Sequence, residues 1–208
     1  MWLLASLFLA VFVCSFLSAP GLDGGWFWDI GNGIGLAALV CLLVLGLDRS
    51  KSSTWRNHQL VGYIALALVF GHAAWFLLGD PIVLEYVLPG APGYMWGGIV
   101  SGLGVLILIL ISMPTLRSKI HASHRNFKNL HLWLSVFTIA AGIYHIIGSG
   151  FYFRSWYEGA LLSLIIIFCM CMPRVKQAFI NAQFCKPRAV FLASILATVV
   201  FAGIRNVL

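Results

Sequence analysis

Charge is what this chain has least of. Of its 208 residues 9% are charged, only six are acidic, and 61% are hydrophobic. Soluble domains carry about 25% charged residues, so a water-soluble globule is excluded. No polar stretch is long enough for a second, soluble domain. No Gly-x-Gly-x-x-Gly or Gly-x-x-x-x-Gly-Lys-Ser/Thr fingerprint for nucleotide phosphates occurs. No Cys-x-x-Cys-His occurs, which excludes covalent c-type haem attachment. The five cysteines are not at metal-ligand spacing. Most lie in apolar runs, where cysteine behaves as a small hydrophobe. The net charge of +7 does not point to nucleic acid, because the basic residues sit between hydrophobic runs.

What the chain has is apolar length. Seven runs stand out: Trp2–Ala19, Ile30–Leu47, His58–Leu78, Tyr94–Met113, Leu130–Gly148, Tyr157–Met172 and Ala189–Ile204. About 20 apolar residues span a bilayer, so the runs predict an all-α, polytopic transmembrane helix bundle. Alternate connections carry nearly all the base: Arg49, Lys51 and Arg56; then Arg117, Lys119, Arg125 and Lys128; then Arg174, Lys176, Lys186 and Arg188. The intervening ones hold Asp23, Asp29, Asp80, Glu85 and Glu158, with Arg154 as counterweight. Positive residues favour the cytoplasmic side. The expectation is a cytoplasmic N-terminus in a bacterial inner (plasma) membrane, with the C-terminus outside. The first run lacks a basic leader, and Pro20 directly follows the small pair Ser18-Ala19. A retained first helix is therefore expected rather than a cleaved signal peptide.

Two of these runs carry histidines at one spacing. His58 and His72 enclose 13 residues, and so do His131 and His145. A 14-residue step turns an α-helix through about 1400°, close to four whole turns, and advances about 21 Å. Both imidazoles of each helix thus face nearly one side. The loop charges make the two helices parallel, so His58 shares a depth with His131 and His72 with His145. Neutral imidazole is an axial ligand for haem iron. The reading is two b-type haems, one per pair, forming a transmembrane electron path. Gly62, Ala65 and Val69 on one helix, and Ser135, Thr138 and Gly142 on the other, are small enough to let a flat macrocycle near the backbone. Small residues also serve ordinary membrane-helix packing.

The stretches WRNHQLVGYIALALVFGHAAWFLLG (Trp55 to Gly79) and FKNLHLWLSVFTIAAGIYHIIG (Phe127 to Gly148) resemble the ferric reductase-like transmembrane domain family. That family includes ferric reductases, NADPH oxidases and the haem-binding subunit of a periplasmic methionine sulfoxide reductase. The resemblance covers most of residues 1–172 and implies a six-helix haem-binding core. Residues 173–208 then supply a basic cytosolic loop and a seventh helix. It also implies bis-histidine ligation by His58, His72, His131 and His145, and electron flow from a cytosolic flavin to an outer acceptor: ferric iron, oxygen or a periplasmic partner protein. The family's oxidases and reductases carry a fused FAD/NADPH domain after the sixth helix, and here a seventh apolar run follows instead. FAD or FMN would therefore come through a partner, a cytosolic flavin reductase or flavoprotein subunit.

Two other readings stay open. Cytochrome b of quinol-oxidising complexes also places two histidine pairs on parallel helices, although its Pro-Glu-Trp-Tyr motif is absent here. A histidine-dependent proton or metal transporter would use the same residues differently. Arg56 and Arg125 flank the inner histidine level, and Arg154 follows His145 on the outer side. Each is a candidate partner for a haem propionate. Positive-inside topology alone also accounts for the two inner arginines. His121 and His124 form a His-x-x-His too poor in ligands for a metal site. The stretch from Gly79 to Gly98 reads as a lid over the outer level. No catalytic nucleophile set is expected, since the histidines are taken by the quartet.

Overall fold

A computed structural model describes residues 2–17, 25–47, 55–116, 123–171 and 186–207. These residues form seven long helices and no strand. They are α1 (Trp2–Cys14), α2 (Gly25–Leu47), α3 (Trp55–Gly79), α4 (Gly93–Ser112), α5 (His124–Ser149), α6 (Trp156–Cys171) and α7 (Pro187–Val207). A short 3₁₀ helix, η1 (Pro81–Val87), joins α3 to α4. Five of them, α2, α3, α4, α5 and α7, are long and apolar enough to cross a membrane. The described parts of α1 and α6 are shorter, at 13 and 16 residues. The chain is an all-helical protein suited to integral membrane placement. Most exposed large side chains are apolar, among them Phe70, Leu78, Trp133 and Phe137. Such faces are satisfied by lipid rather than water.

Helix starts differ from the apolar runs in two informative places. α2 begins at Gly25, so Asp29 lies within a helix and not in a connection. α5 begins at His124, capped by the Ser123 side chain, which accepts from the Asn126 amide at 3.2 Å. Arg125 and Lys128 therefore ride on the first two turns of α5. Apolar periodicity marks only the lipid-embedded length of a helix, while capping decides where it starts. Arg49, Lys51, Arg117, Lys119, His121, Arg174, Lys176, Asp23 and Cys185 lie outside the described residues.

The packing places α3 and α5 across from one another. α2 packs closely on α3 and α7, and α4 packs closely on α5 and more lightly on α3. α3 and α5 make no extensive contact of their own. The α4–α5 contact is close because α4 has glycines where α5 approaches. A Cβ at Gly97 would sit 2.8 Å from the Tyr144 ring, and one at Gly104 would collide with Thr138. Ser101 donates to the Thr138 carbonyl at 2.9 Å, and a Cβ at Gly142 would lie 3.0 Å from the Ser101 hydroxyl. Thr138 and Gly142 thus bed against α4, which is small-residue helix packing. On α3, Gly62 has open space before it, while Val69 lies against Gly102 of α4.

At one end of the bundle a buried polar cluster ties four segments together. Asp29 of α2 pairs with the Arg205 Nε of α7 at 3.2 Å. It also accepts from the Tyr152 hydroxyl at 2.6 Å and from Asn206 at 2.8 Å. Arg205 lies 4.4 Å from the centre of the Tyr152 ring and donates to the Ser15 carbonyl at 3.4 Å. Burial, and then the bond to Asp29, push the Tyr152 phenol above its ordinary range, so it remains a donor. The cluster brings the end of α1, the start of α2, the α5–α6 connection and the end of α7 to one end of the bundle. Arg154 is thus not the only base at this end, since Arg205 joins it. Glu158 is not a surface loop charge either. It is fully buried in the first turn of α6, where one carboxylate oxygen accepts from the Ser155 amide at 3.0 Å, half of a capping box.

Candidate functional site

The four histidines form two facing pairs. The His58 and His131 ring centres are 6.3 Å apart, and those of His72 and His145 are also 6.3 Å apart. The interplanar angles are 50° and 80°. Parallel helices with the same 14-residue step bring this about, as each pair sits at one end of α3 and α5. The layer between the two levels is closed by side chains, with Val61, Ala65, Val105, Thr138 and Ile139 all buried.

Hydrogen bonds orient the rings. His72 donates its Nδ1–H to the Gly31 carbonyl of α2 at 2.8 Å. His145 donates its Nδ1–H to the Tyr94 carbonyl of α4 at 3.0 Å. A carbonyl can only accept, so both rings carry the proton on Nδ1 and leave Nε2 with a lone pair. At the other level, His131 Nδ1 meets the Ser112 hydroxyl at 3.3 Å. Ser112 spends its own proton on the Leu108 carbonyl at 2.6 Å, so its oxygen is the acceptor for His131. Second-shell bonds of this kind set tautomer and ring direction in metal-ligating histidines. Chemically, each level offers two imidazoles to one gap between α3 and α5, with His72, His145 and His131 oriented by these bonds.

Aromatic rings close the His72 level. Phe76 stands edge-on to His72 with centres 5.2 Å apart, and packs against Trp28 at 4.9 Å. Trp28 stacks on Phe151 at 5.1 Å. η1 is capped by the Asp80 carboxylate, which accepts from the Ile82 amide at 3.0 Å, and lies against α3 and α4 at this same end. The His58 level has aromatic neighbours of its own. Phe127 lies 5.4 Å from His131 and stacks on His124 at 6.3 Å, a ring series that begins at the exposed first turn of α5.

Arg56 and Arg125 are exposed on the first turns of α3 and α5, at the His58 end. Arg154 is exposed in the α5–α6 connection, at the His72 end. None of the three forms an ion pair with another described residue. Among the described residues no group of three or more His, Cys, Asp or Glu side chains converges on a metal position. Reading the histidines alone leaves out their supports: the carbonyls of Gly31 and Tyr94, the Ser112 hydroxyl, and Gly35 and Gly98 beneath the rings. Gly31 and Gly35 stand one helical turn apart in the sequence, but backbone acceptors have no residue-type signature. No family model matches this chain, and neither a curated protein nor a solved structure does.

Proposed function

We propose that this chain is a dihaem b-type membrane cytochrome that passes electrons between the two ends of its helix bundle. The observation that carries the reading is the pair of matched imidazole gaps. Two metal–imidazole bonds of about 2.0–2.1 Å, plus about 1.2 Å from each nitrogen to its ring centre, would separate coaxial rings by about 6.4–6.6 Å, close to the observed gaps. Both pairs stand at 6.3 Å. The donor set also fits a macrocycle better than a bare ion. A bare zinc or similar ion needs about four ligands, and each level offers two imidazoles. A porphyrin would supply the rest of its iron's ligands itself and would need from this chain only the two imidazoles of each level. The fit favours haem over a metal-transport role for the quartet.

In this reading His58 and His131 hold one haem, and His72 and His145 the other. Haem iron, when bound, takes up and releases one electron at a time. The protein's part is to hold His72, His145 and His131 as neutral Nδ1–H tautomers and to keep the two levels apart. Arg56, Arg125 and Arg154 stand at the two ends as partners for propionate charge. The positive-inside bias would put the His58 end in the cytoplasm and the His72 end outside. The reading calls for a reduced-minus-oxidised spectrum with a haem count on purified protein. Two low-spin b-type haems per chain are expected. A monodisperse, fully stable preparation without haem would sink it, and reduction solely by a quinol would make the chain a cytochrome b-type subunit instead.

The donor follows from the chemistry of nicotinamide, which delivers hydride, whereas haem accepts single electrons. Flavin connects the two modes, and these 208 residues carry no dinucleotide fingerprint. In this reading a cytosolic flavin reductase or flavoprotein supplies electrons, and a ferric chelate, oxygen or a periplasmic redox partner takes them. Arg56, Arg125, Lys128, Lys186 and Arg188 are exposed at the beginnings of α3, α5 and α7, which share one end. Charges of that kind steer an acidic partner over about 10 Å at 0.1 M salt. Haem reduction by a flavin reductase should be fast at low salt and slow as salt is added. The double charge reversal Arg125→Glu, Lys128→Glu should slow it further, by about tenfold at low salt. Stopped-flow reduction measured across a salt series checks this, and a salt-independent rate would remove the basic end as the docking surface.

A further inference from the structure

The two histidines at the His72 level are held in the same way by different helices. His72 bonds the Gly31 carbonyl, and Gly35, one turn along α2, lies under its ring. His145 bonds the Tyr94 carbonyl, and Gly98, one turn along α4, lies under its ring. A Cβ built on Gly35 would stand 2.9 Å from His72 Nδ1 and 3.0 Å from its Cε1. A Cβ built on Gly98 would stand 2.8 Å from His145 Nδ1 and 3.0 Å from both Cε1 and Cγ. α2 and α4 run the same way, and so do α3 and α5. The hairpins α2–α3 and α4–α5 thus repeat one arrangement, each pairing a carbonyl-and-glycine helix with a histidine helix. The repeated unit is a carbonyl, a glycine four residues later, and an imidazole seated on both.

We propose that Gly35 and Gly98 are equivalent positioning residues of this repeated cradle, each setting the direction in which its histidine presents Nε2 to the opposing ring. This rests on the haem reading of the site. A ring cannot rise from its glycine and keep its Nδ1–H on the carbonyl one turn away. A methyl group at either position therefore forces a choice between hydrogen bond and ring direction. Gly71, next to His72 in sequence, places no such constraint and has nothing within 4 Å of its Cβ position. A glycine-to-alanine change inside a helix otherwise favours the helix. A loss seen at Gly35 or Gly98 cannot then come from a weaker helix.

The test is Gly35→Ala, Gly98→Ala and the control Gly71→Ala in the full chain. Haem stoichiometry and the low-spin ferric resonances in electron paramagnetic resonance are read beside His72→Ala and His145→Ala. Both glycine variants should shift or abolish one and the same resonance, the one lost in the two histidine variants. Haem retention at that level should fall about 10–100-fold. The other resonance and the control should be unchanged. Unchanged resonances in both variants, effects on different resonances, or loss of both haems with the protein unfolded would overturn the proposal. Nitrogen NMR of ¹⁵N-histidine-labelled, haem-free chain keeps the two readings separable. The parent should show Nδ1–H tautomers for His72 and His145, and each alanine should alter the tautomer balance of its own histidine. A parent that binds no haem but passes the tautomer test would end the haem reading and leave the cradle standing. Unaltered tautomers in both variants would end the cradle.

Discussion

On the proposed dihaem reading, His72→Ala and His145→Ala should each remove the same one of two haems and leave the other in place, while His58→Ala and His131→Ala remove the second. The effect is expected to be complete at the affected level. Each level has two imidazoles 6.3 Å apart and no third ligand among the described residues. Loss of one would leave a single imidazole at that level beside an unfilled space, and empty space in a packed bundle is destabilising. The level at the other end should hold. It lies about 21 Å away along the same helices, and Val61, Ala65, Thr138 and Ile139 are buried between. Sites that far apart with no shared partners act independently. Haem per chain should fall from two to one in each variant, and added imidazole should restore part of the low-spin spectrum. If His58→Ala and His145→Ala abolished the same haem, the assignment of levels would be wrong. On the same reading the His72 level should release haem more slowly in the parent, since both of its rings are bonded to backbone carbonyls and Phe76 packs against His72.

The second large effect belongs to the buried ion pair. Arg205→Ala should destabilise the protein by about 3–5 kcal/mol, the usual loss when one partner of a buried pair is removed. The substitution leaves Asp29 facing only the neutral donors of Tyr152 and Asn206. It also removes the cation stacked on Tyr152 and the bond to the Ser15 carbonyl. Asp29→Ala should destabilise too, because a guanidinium cannot shed its charge. The double variant should cost less than the two singles together, by about 1 kcal/mol or more, because no unpaired charge remains. Unfolding of purified protein in mixed micelles of a mild detergent and sodium dodecyl sulfate measures all three. Strict additivity would mean that the pair is not a coupled unit. Because Asp29 is two residues before Gly31 on α2, Arg205→Ala should also loosen the carbonyl that accepts from His72. A shifted resonance at that level alone is the expected spectroscopic sign.

How much of this was legible in the sequence depends on whether the property is one-dimensional. Scarce charge and seven apolar runs determine a membrane helix bundle, because crossing lipid needs only length and apolarity along one segment. Equal spacing on two parallel helices suffices to make His58 a neighbour of His131 and His72 a neighbour of His145. Helix starts were less legible. Asp29 and Glu158 read as loop charges because acidic residues near run ends are usually solvated, and only the fold buries them. Arg205 carried no signal at all, since its meaning depends on α7 returning to the start of α2. The repeat of hairpins was equally hidden, because Gly31-Gly35 and Tyr94-Gly98 share a geometry and hardly a sequence. A backbone carbonyl is present at every position, so which one accepts from an imidazole is decided by helix packing alone. The sequence by itself thus determined the medium, the helices and the four imidazoles. The tertiary structure decided which backbone atoms hold those rings, which charges are buried together, and how wide the gaps between the imidazoles are, because each depends on the distance between helices far apart in the chain.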